Sequence, residues 1–141
     1  IIPDEHIRKE FYEYMEAREL NQGTIFSYIA ATAAYTHGME WRRQMLDYVI
    51  KNVDFVEQYL NKNIPQIKVY RPQASFLVWL DCRELGLNHK KLITLFKEQA
   101  RLALNDGAMF GMEGNGYMRI NVGCPRSTLE TALERLKNTL S

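Results

Sequence analysis

The sequence predicts an α+β fold: a small, mostly antiparallel sheet with helices on one face and a long helix N-terminal to it. Three observations predict it. Apolar residues recur at helical spacing through the first sixty or so positions, and period-two alternation begins only after Pro65. The first two strand-like runs are joined by a short Arg71-Pro-Gln turn, which suits a hairpin rather than a parallel crossover. The element order is helix, helix, long helix, strand, strand, helix, strand, strand, helix, and such an order packs helices against an antiparallel sheet.

Each element has its own signal. Asp4 after Pro3 is an N-cap, and Ile7, Phe11, Tyr14 and Met15 mark one face of an amphipathic helix reaching about Leu20. Thr24 caps a second helix, residues 25–35, in which nearly every residue is apolar or small. A helix without a polar face needs neighbours all round. Gly38 is expected as its left-handed C-cap. A long helix over 40–61 carries a stripe of Met45, Leu46, Val49, Ile50, Val53, Val56 and Leu60, and at about 1.5 Å per residue spans roughly 30 Å. Ile67 and Val69 then alternate with Lys68 and Tyr70, and Ser75 to Leu80 is an apolar run expected as a central strand covered on both faces. Asn88 caps a helix with Leu92, Ile93 and Phe96 inward. A short strand is expected at Leu102-Ala-Leu104, and a last helix opens on the capping box Ser127-x-x-Glu130. Trp41, Phe76 and Trp79 lie in apolar stripes and read as core.

Length and composition bound the function. The chain has 141 residues, 46% hydrophobic and 25% charged, enough for one compact domain or part of a larger one. A formal net charge of +1 gives no electrostatic reason to expect nucleic acid or an anionic membrane as partner. No apolar run is long enough for a membrane span and no signal-peptide pattern is present, so the expected location is the cytoplasm, with Cys82 and Cys124 as free thiols. The chain opens Ile1-Ile-Pro3 without methionine, which reads as a fragment of a longer protein.

The chemistry concentrates between Asn105 and Arg126. Gly107, Gly111, Gly114 and Gly116 make a loop able to approach a ligand closely, and a strand from Tyr117 to Val122 follows it. On that strand Met118, Ile120 and Val122 face one way, and Tyr117, Arg119 and Asn121 the other. Arg119 is therefore a polar-face guanidinium, a planar fork that matches a carboxylate bidentately; the bland alternative is a solvated strand arginine. Arg126 adds a second cation nearby. A strand rather than a helix follows the glycines, which argues against a phosphate cradle. His6, His37 and His89 are scattered, with no carboxylate or cysteine at ligand spacing, so neither a metal nor histidine catalysis is expected. Cys124 reads as a packed thiol, and Lys90-Lys91 as a solvated helix start. The residues by themselves stop at an α+β domain with a candidate carboxylate-binding arginine.

Three ordered blocks carry a resemblance: Pro72-Gln-Ala-Ser-Phe-Leu-Val-Trp-Leu-Asp-Cys-Arg83, Leu104-Asn-Asp-Gly-Ala-Met-Phe-Gly111 and Gly116-Tyr-Met-Arg-Ile-Asn-Val-Gly-Cys-Pro-Arg126. They resemble the C-terminal small domain of pyridoxal-phosphate-dependent class I/II aminotransferase-type enzymes, and Arg-Ile-Asn-Val-Gly-Cys-Pro-Arg126 is most similar to the cystathionine β-lyase branch. The middle stretch Ala30 to Trp41 fits the same branch. The resemblance implies that Arg119 pairs with the substrate α-carboxylate and that Gly107, Phe110 and Gly111 lie in the active-site loop. Asn21 and Thr24 would reach toward the cofactor phosphate of a partner subunit in a homodimer. It further implies that residues 1–37 are a helical remnant packing on the protein's own N-terminal large domain, and that 38–141 are the small domain. The Schiff-base lysine belongs to that large domain and has no counterpart here, so no catalytic residue is expected in this chain and the chain alone is expected to be inactive. The implied substrate is a small sulfur-containing amino acid, cleaved by a carbon–sulfur β-lyase. Two other readings remain open at this point: an aminotransferase with the same domain, and a non-enzymatic ligand-binding module presenting Tyr70 and Tyr117.

Overall fold

The computed structural model describes residues 1–140. It divides into two compact units, one ending at Arg43 and one beginning at Gln44.

In the first unit, helix α1 (Glu5–Glu16) starts where Asp4 accepts the Ile7 N–H at 2.9 Å. It stops short of the expected Leu20 because the chain closes it early. Glu19 takes a left-handed φ of 56°, and the Leu20 N–H reaches back to the Met15 carbonyl at 2.9 Å. That is a Schellman-type ending built without glycine, which left no sequence signal. Thr24 Oγ1 caps α2 (Ile25–His37) through the Ser27 N–H at 3.2 Å. Gly38 does not take the left-handed conformation expected of it; its φ is −82°. A side chain is excluded there for a different reason, since a Cβ would stand 2.4 Å from the Ala34 carbonyl oxygen. Neither α1 nor α2 has a buried residue, and Phe26, Tyr28, Ile29 and Tyr35 of α2 are all exposed.

The second unit is built on most of α3 (Met39–Asn63), whose predicted stripe holds at Val49, Val53, Val56 and Leu60. Leu46 and Ile50 leave the stripe and are exposed. Asn52 lies fully buried on the same helix instead, a position that periodicity alone assigns to an apolar residue. The sheet has the order β1-β2-β4-β3, from β1 (Lys68–Tyr70), β2 (Leu77–Asp81), β4 (Tyr117–Asn121) and β3 (Asn105–Asp106), all antiparallel. The β1–β2 pair is the expected hairpin, with Val69 opposite Leu80. One face supplies Val78, Leu80, Met118 and Ile120 to a core shared with α3, with Leu92 of α4 (His89–Thr94), with Phe96 in the π-type turn Leu95–Gln99, and with Leu129, Leu133 and Leu136 of α5 (Arg126–Leu140).

Four local expectations need correction. The strand expected at Leu102–Leu104 lies at Asn105–Asp106. Arg101 takes a φ of 55° and the Leu102 N–H closes onto the Phe96 carbonyl at 2.8 Å, so residue 102 turns into the core before pairing can begin. Helix α5 starts at Arg126, which puts Ser127 inside its first turn, where its carbonyl accepts the Thr131 hydroxyl; Ser127 is not the cap. Trp41 and Phe76 are exposed and Trp79 is half-buried, so none of the three is core here. The strand expected over Ser75–Leu80 is the central strand Leu77–Asp81, with Ser75 outside it at a φ of 74°, and its Val78 and Leu80 face alone is covered as expected.

Asn52 ties the second unit together. Its amide donates to the Val122 carbonyl at 2.8 Å and the Cys124 carbonyl at 2.9 Å, and its carbonyl accepts from Arg126 Nε at 2.9 Å. Replacing Asn52 by Ala removes the side-chain donor from the Val122 and Cys124 carbonyls and the acceptor from Arg126 Nε. The expected cost is about 3 kcal/mol of stability in urea unfolding, and a loss under about 1 kcal/mol would contradict the assignment.

Candidate functional site around Arg119

The face of the sheet opposite the core carries the site. Arg119 is central on β4, opposite Trp79 of β2 on one side and Asn105 of β3 on the other. As alternation predicts, Met118 and Ile120 are buried while Tyr117, Arg119 and Asn121 face away from the core. Two contacts orient the guanidinium. Nη2 donates to Asn105 Oδ1 at 3.0 Å, and the guanidinium carbon sits 4.4 Å above the centre of the Phe110 ring. Nε is buried and has no hydrogen-bond partner among the described residues. A held guanidinium with a desolvated free donor is primed for an anionic acceptor, because an unpaired buried donor is unfavourable.

The glycine-rich segment is a folded support rather than the loose loop its composition suggests. After β3 it forms two 3₁₀ turns, Gly107–Phe110 and Met112–Gly114. Asp106 Oδ1 accepts the Ala108 N–H at 2.8 Å and so caps the turn that ends on Phe110. Gly107 and Gly114 bring two backbones together: a Cβ on Gly114 would lie 2.0 Å from the Gly107 carbonyl oxygen, and one on Gly107 2.3 Å from that of Gly114. Gly111 joins the turns at a φ of 129°, which disfavours any side chain.

Aromatic residues extend the site. Trp79 packs edge-on against Phe110 at 5.3 Å and Tyr117 at 6.3 Å, and with Tyr70, Glu113 and Gly114 they line an open cavity of about 470 Å³. At its margin Arg83 is held by both oxygens of Asp81, at 2.9 and 2.7 Å, and these hydrogen bonds hold the Asp81 carboxyl below its usual range.

The other sequence candidates separate. Arg126 is not a second ligand-binding cation. Its guanidinium donates to Asn52 and to the Lys51 carbonyl at 2.7 Å, and covers Phe55 at 4.4 Å. Histidines without carboxylate partners were expected, but His89 Nε2 lies 3.1 Å from Asp106 Oδ2, and His6 lies 3.4 Å from Glu10 on α1. The His89 pairing links elements 17 residues apart, which spacing in a motif does not report. Cys124 is half-buried, with its thiol pushed up by burial, as a packed residue should be. Burial pushes Cys82 up to about 12. The Thr24 hydroxyl is occupied in capping α2, and Asn21 is exposed. Sequence reasoning missed Asn105, although Asp106 before Gly107 carries the side-chain-to-backbone turn signal that could have located the start of the support.

The glycine contact gives a direct test of the support. Gly114→Ala should displace the Gly107–Phe110 turn and destabilise the chain by about 1–3 kcal/mol in urea unfolding, as overpacking does. Gly86→Ala, where a Cβ would meet nothing within 4 Å, serves as the comparison that carries only backbone strain at φ 67°. Equal losses for the two would contradict the close approach.

No protein-family model matches the chain. Over its full length, however, it is 34% identical to cystathionine β-lyase PatB of Bacillus subtilis strain 168, of which it spans 36%. Two solved structures have the same fold over essentially all of it. One is a PLP-bound aminotransferase candidate from Clostridium difficile 630, with a TM-score of 0.94, 38% identity, and coverage of 100% of this chain and 36% of that one. The other is cystalysin of Treponema denticola, which contains pyridoxal 5'-phosphate, with a TM-score of 0.88, 29% identity, and coverage of 99% and 36%. The chain thus spans about a third of the length of the proteins it matches. The residues around Arg119 do not themselves fit that cofactor: they include no lysine for a Schiff base, and the nearby Lys68 of β1 is bonded to the Pro65 carbonyl and to Glu84. Sequence and fold agree: over its whole length the chain is homologous to about a third of the length of pyridoxal-phosphate-dependent class I/II aminotransferases and cystathionine β-lyase-type carbon–sulfur lyases.

Proposed function

We propose that the chain is the C-terminal small domain of a pyridoxal-phosphate-dependent carbon–sulfur β-lyase acting on small sulfur-containing amino acids, and that Arg119 holds the substrate α-carboxylate. The observation that carries this reading is the buried, unpartnered Nε of Arg119 on a guanidinium already fixed by Asn105 and Phe110. Nε–H and a terminal N–H of the guanidinium offer a carboxylate two donors, and the Phe110 and Trp79 rings beside them keep the pair in a medium where charges attract more strongly than in water. Fixing the carboxylate fixes the orientation of the amino acid, so that the bond to be broken is presented in one direction. Pyridoxal phosphate, held by the rest of the protein, would supply the electron sink for that bond.

One feature supports the surrounding assembly. Helix α2 is apolar on every side and has no buried residue, which suits a helix covered by the protein's own N-terminal large domain. Residues 1–37 are accordingly proposed as the segment that packs on that domain and 38–141 as the small domain. Asn21 and Thr24 are proposed to approach the cofactor phosphate of the partner subunit in a homodimer. Without the large domain the chain is proposed to lack the Schiff-base lysine and to have no activity.

In the full-length enzyme, Arg119→Ala should lower kcat/KM for a thioether amino acid by about 2–5 kcal/mol in transition-state binding, read as thiol release. An unchanged kcat/KM would refute the clamp. Exchange of amino and keto acids without thiol release would replace the lyase reading by the aminotransferase one.

A further inference from the structure

Both contacts that orient Arg119 come from one six-residue stretch. Asn105 supplies the hydrogen bond and Phe110 the ring, and Asp106 stands between them. The strand that positions Asn105 is only two residues long, Asn105 and Asp106, paired opposite Arg119 and Met118. So short a strand cannot fix a side chain by pairing alone. Asp106 divides its carboxylate between two tasks. Oδ1 caps the turn ending on Phe110 through Ala108 at 2.8 Å, and Oδ2 lies 3.1 Å from Nε2 of His89, the first residue of α4.

His89 suits this role because it is itself anchored. Asn88 caps α4 through the Lys91 N–H at 2.9 Å, and Leu92 seats the helix in the core. The imidazole is about 29% exposed and its Nδ1 is buried with no partner among the described residues. A carboxylate oxygen can only accept, so Nε2 is the donor in the contact with Asp106. A rigid ring thus connects the core helix to the carboxylate that shapes both sides of the Arg119 support.

We propose that His89 and Asp106 are positioning residues for the Arg119 clamp, setting its affinity for the carboxylate of an amino acid without touching that carboxylate. This rests on the reading of Arg119 as the clamp. The experiment compares the full-length holoenzyme with its Asp106→Ala, His89→Ala, His89→Gln and Arg119→Ala variants. Two quantities are read: the Kd of an unreactive α-methyl amino acid by calorimetry, and KM and kcat separately. Asp106→Ala is expected to raise Kd and KM on the order of tenfold with kcat within about threefold, His89→Ala to do so by a smaller factor, and His89→Gln, which keeps a donor, to recover much of the loss. If Arg119→Ala weakens binding while Asp106→Ala and His89→Ala stay within about twofold of the parent enzyme, the positioning role is overturned and the clamp stands. A fall in kcat at constant KM and Kd, the mark of a merely structural defect, overturns it as well. If Arg119→Ala itself is silent, both readings fall. Should Asp106→Ala fail to fold, His89→Ala, which removes one hydrogen bond, decides the matter.

Discussion

A single buried amide determines where strand β4 leaves the sheet and where the last helix begins. Asn52 gives both amide protons to carbonyls of the segment after β4, Val122 and Cys124, and takes the Nε–H of Arg126 at the first residue of α5. Helix α3 and the contiguous segment from Val122 to Arg126, about seventy residues away, are thereby held at a fixed separation by hydrogen bonds that water cannot replace, since Asn52 is fully buried. Arg119 lies three residues before Val122 on the same strand. Its depth relative to the core is therefore set from one end by this polar knot and along its length by pairing with β2.

The two arginines of the glycine-rich region show how context divides one side-chain chemistry into two roles. Arg126 donates from Nε and Nη2, covers Phe55, and has its geometry closed by α3. Arg119 has a ring beneath it in the same manner, but among the described residues one of its donors alone is taken, by the neutral oxygen of Asn105. A neutral acceptor orients a guanidinium without cancelling its charge, which leaves Arg119 able to pair with an anion. The glycines contribute by letting the Gly107 and Gly114 backbones touch, and this contact keeps Phe110 under the guanidinium.

Much of this was legible in the residues. Period-two alternation placed Arg119 on the open face, the caps at Asp4, Thr24 and Asn88 were read correctly, and the ordered blocks pointed to the enzymes to which the chain is homologous. What escaped has a common cause, because each miss depends on a partner distant in sequence or on a backbone conformation adopted by an unexpected residue. Asn52 sits in an apolar stripe and is explained only by carbonyls about seventy residues away. His89 meets Asp106 across the fold. Glu19 and Arg101 take left-handed conformations that composition assigns to glycine, and so helix α1 and strand β3 ended or began elsewhere than expected. Trp41 and Phe76 looked like core because apolar character marks a surface to be covered without saying what covers it.

The central claim is that the free donors of Arg119 receive the carboxylate of an amino acid. A crystal structure of the full-length protein with an unreactive amino-acid analogue tests it most directly. The account predicts carboxylate oxygens within hydrogen-bonding distance, about 2.7–3.1 Å, of Arg119 Nε and a terminal guanidinium nitrogen, with Phe110 still stacked beneath. A bound analogue whose carboxylate is held by other residues, with Arg119 Nε still unpartnered, would contradict it.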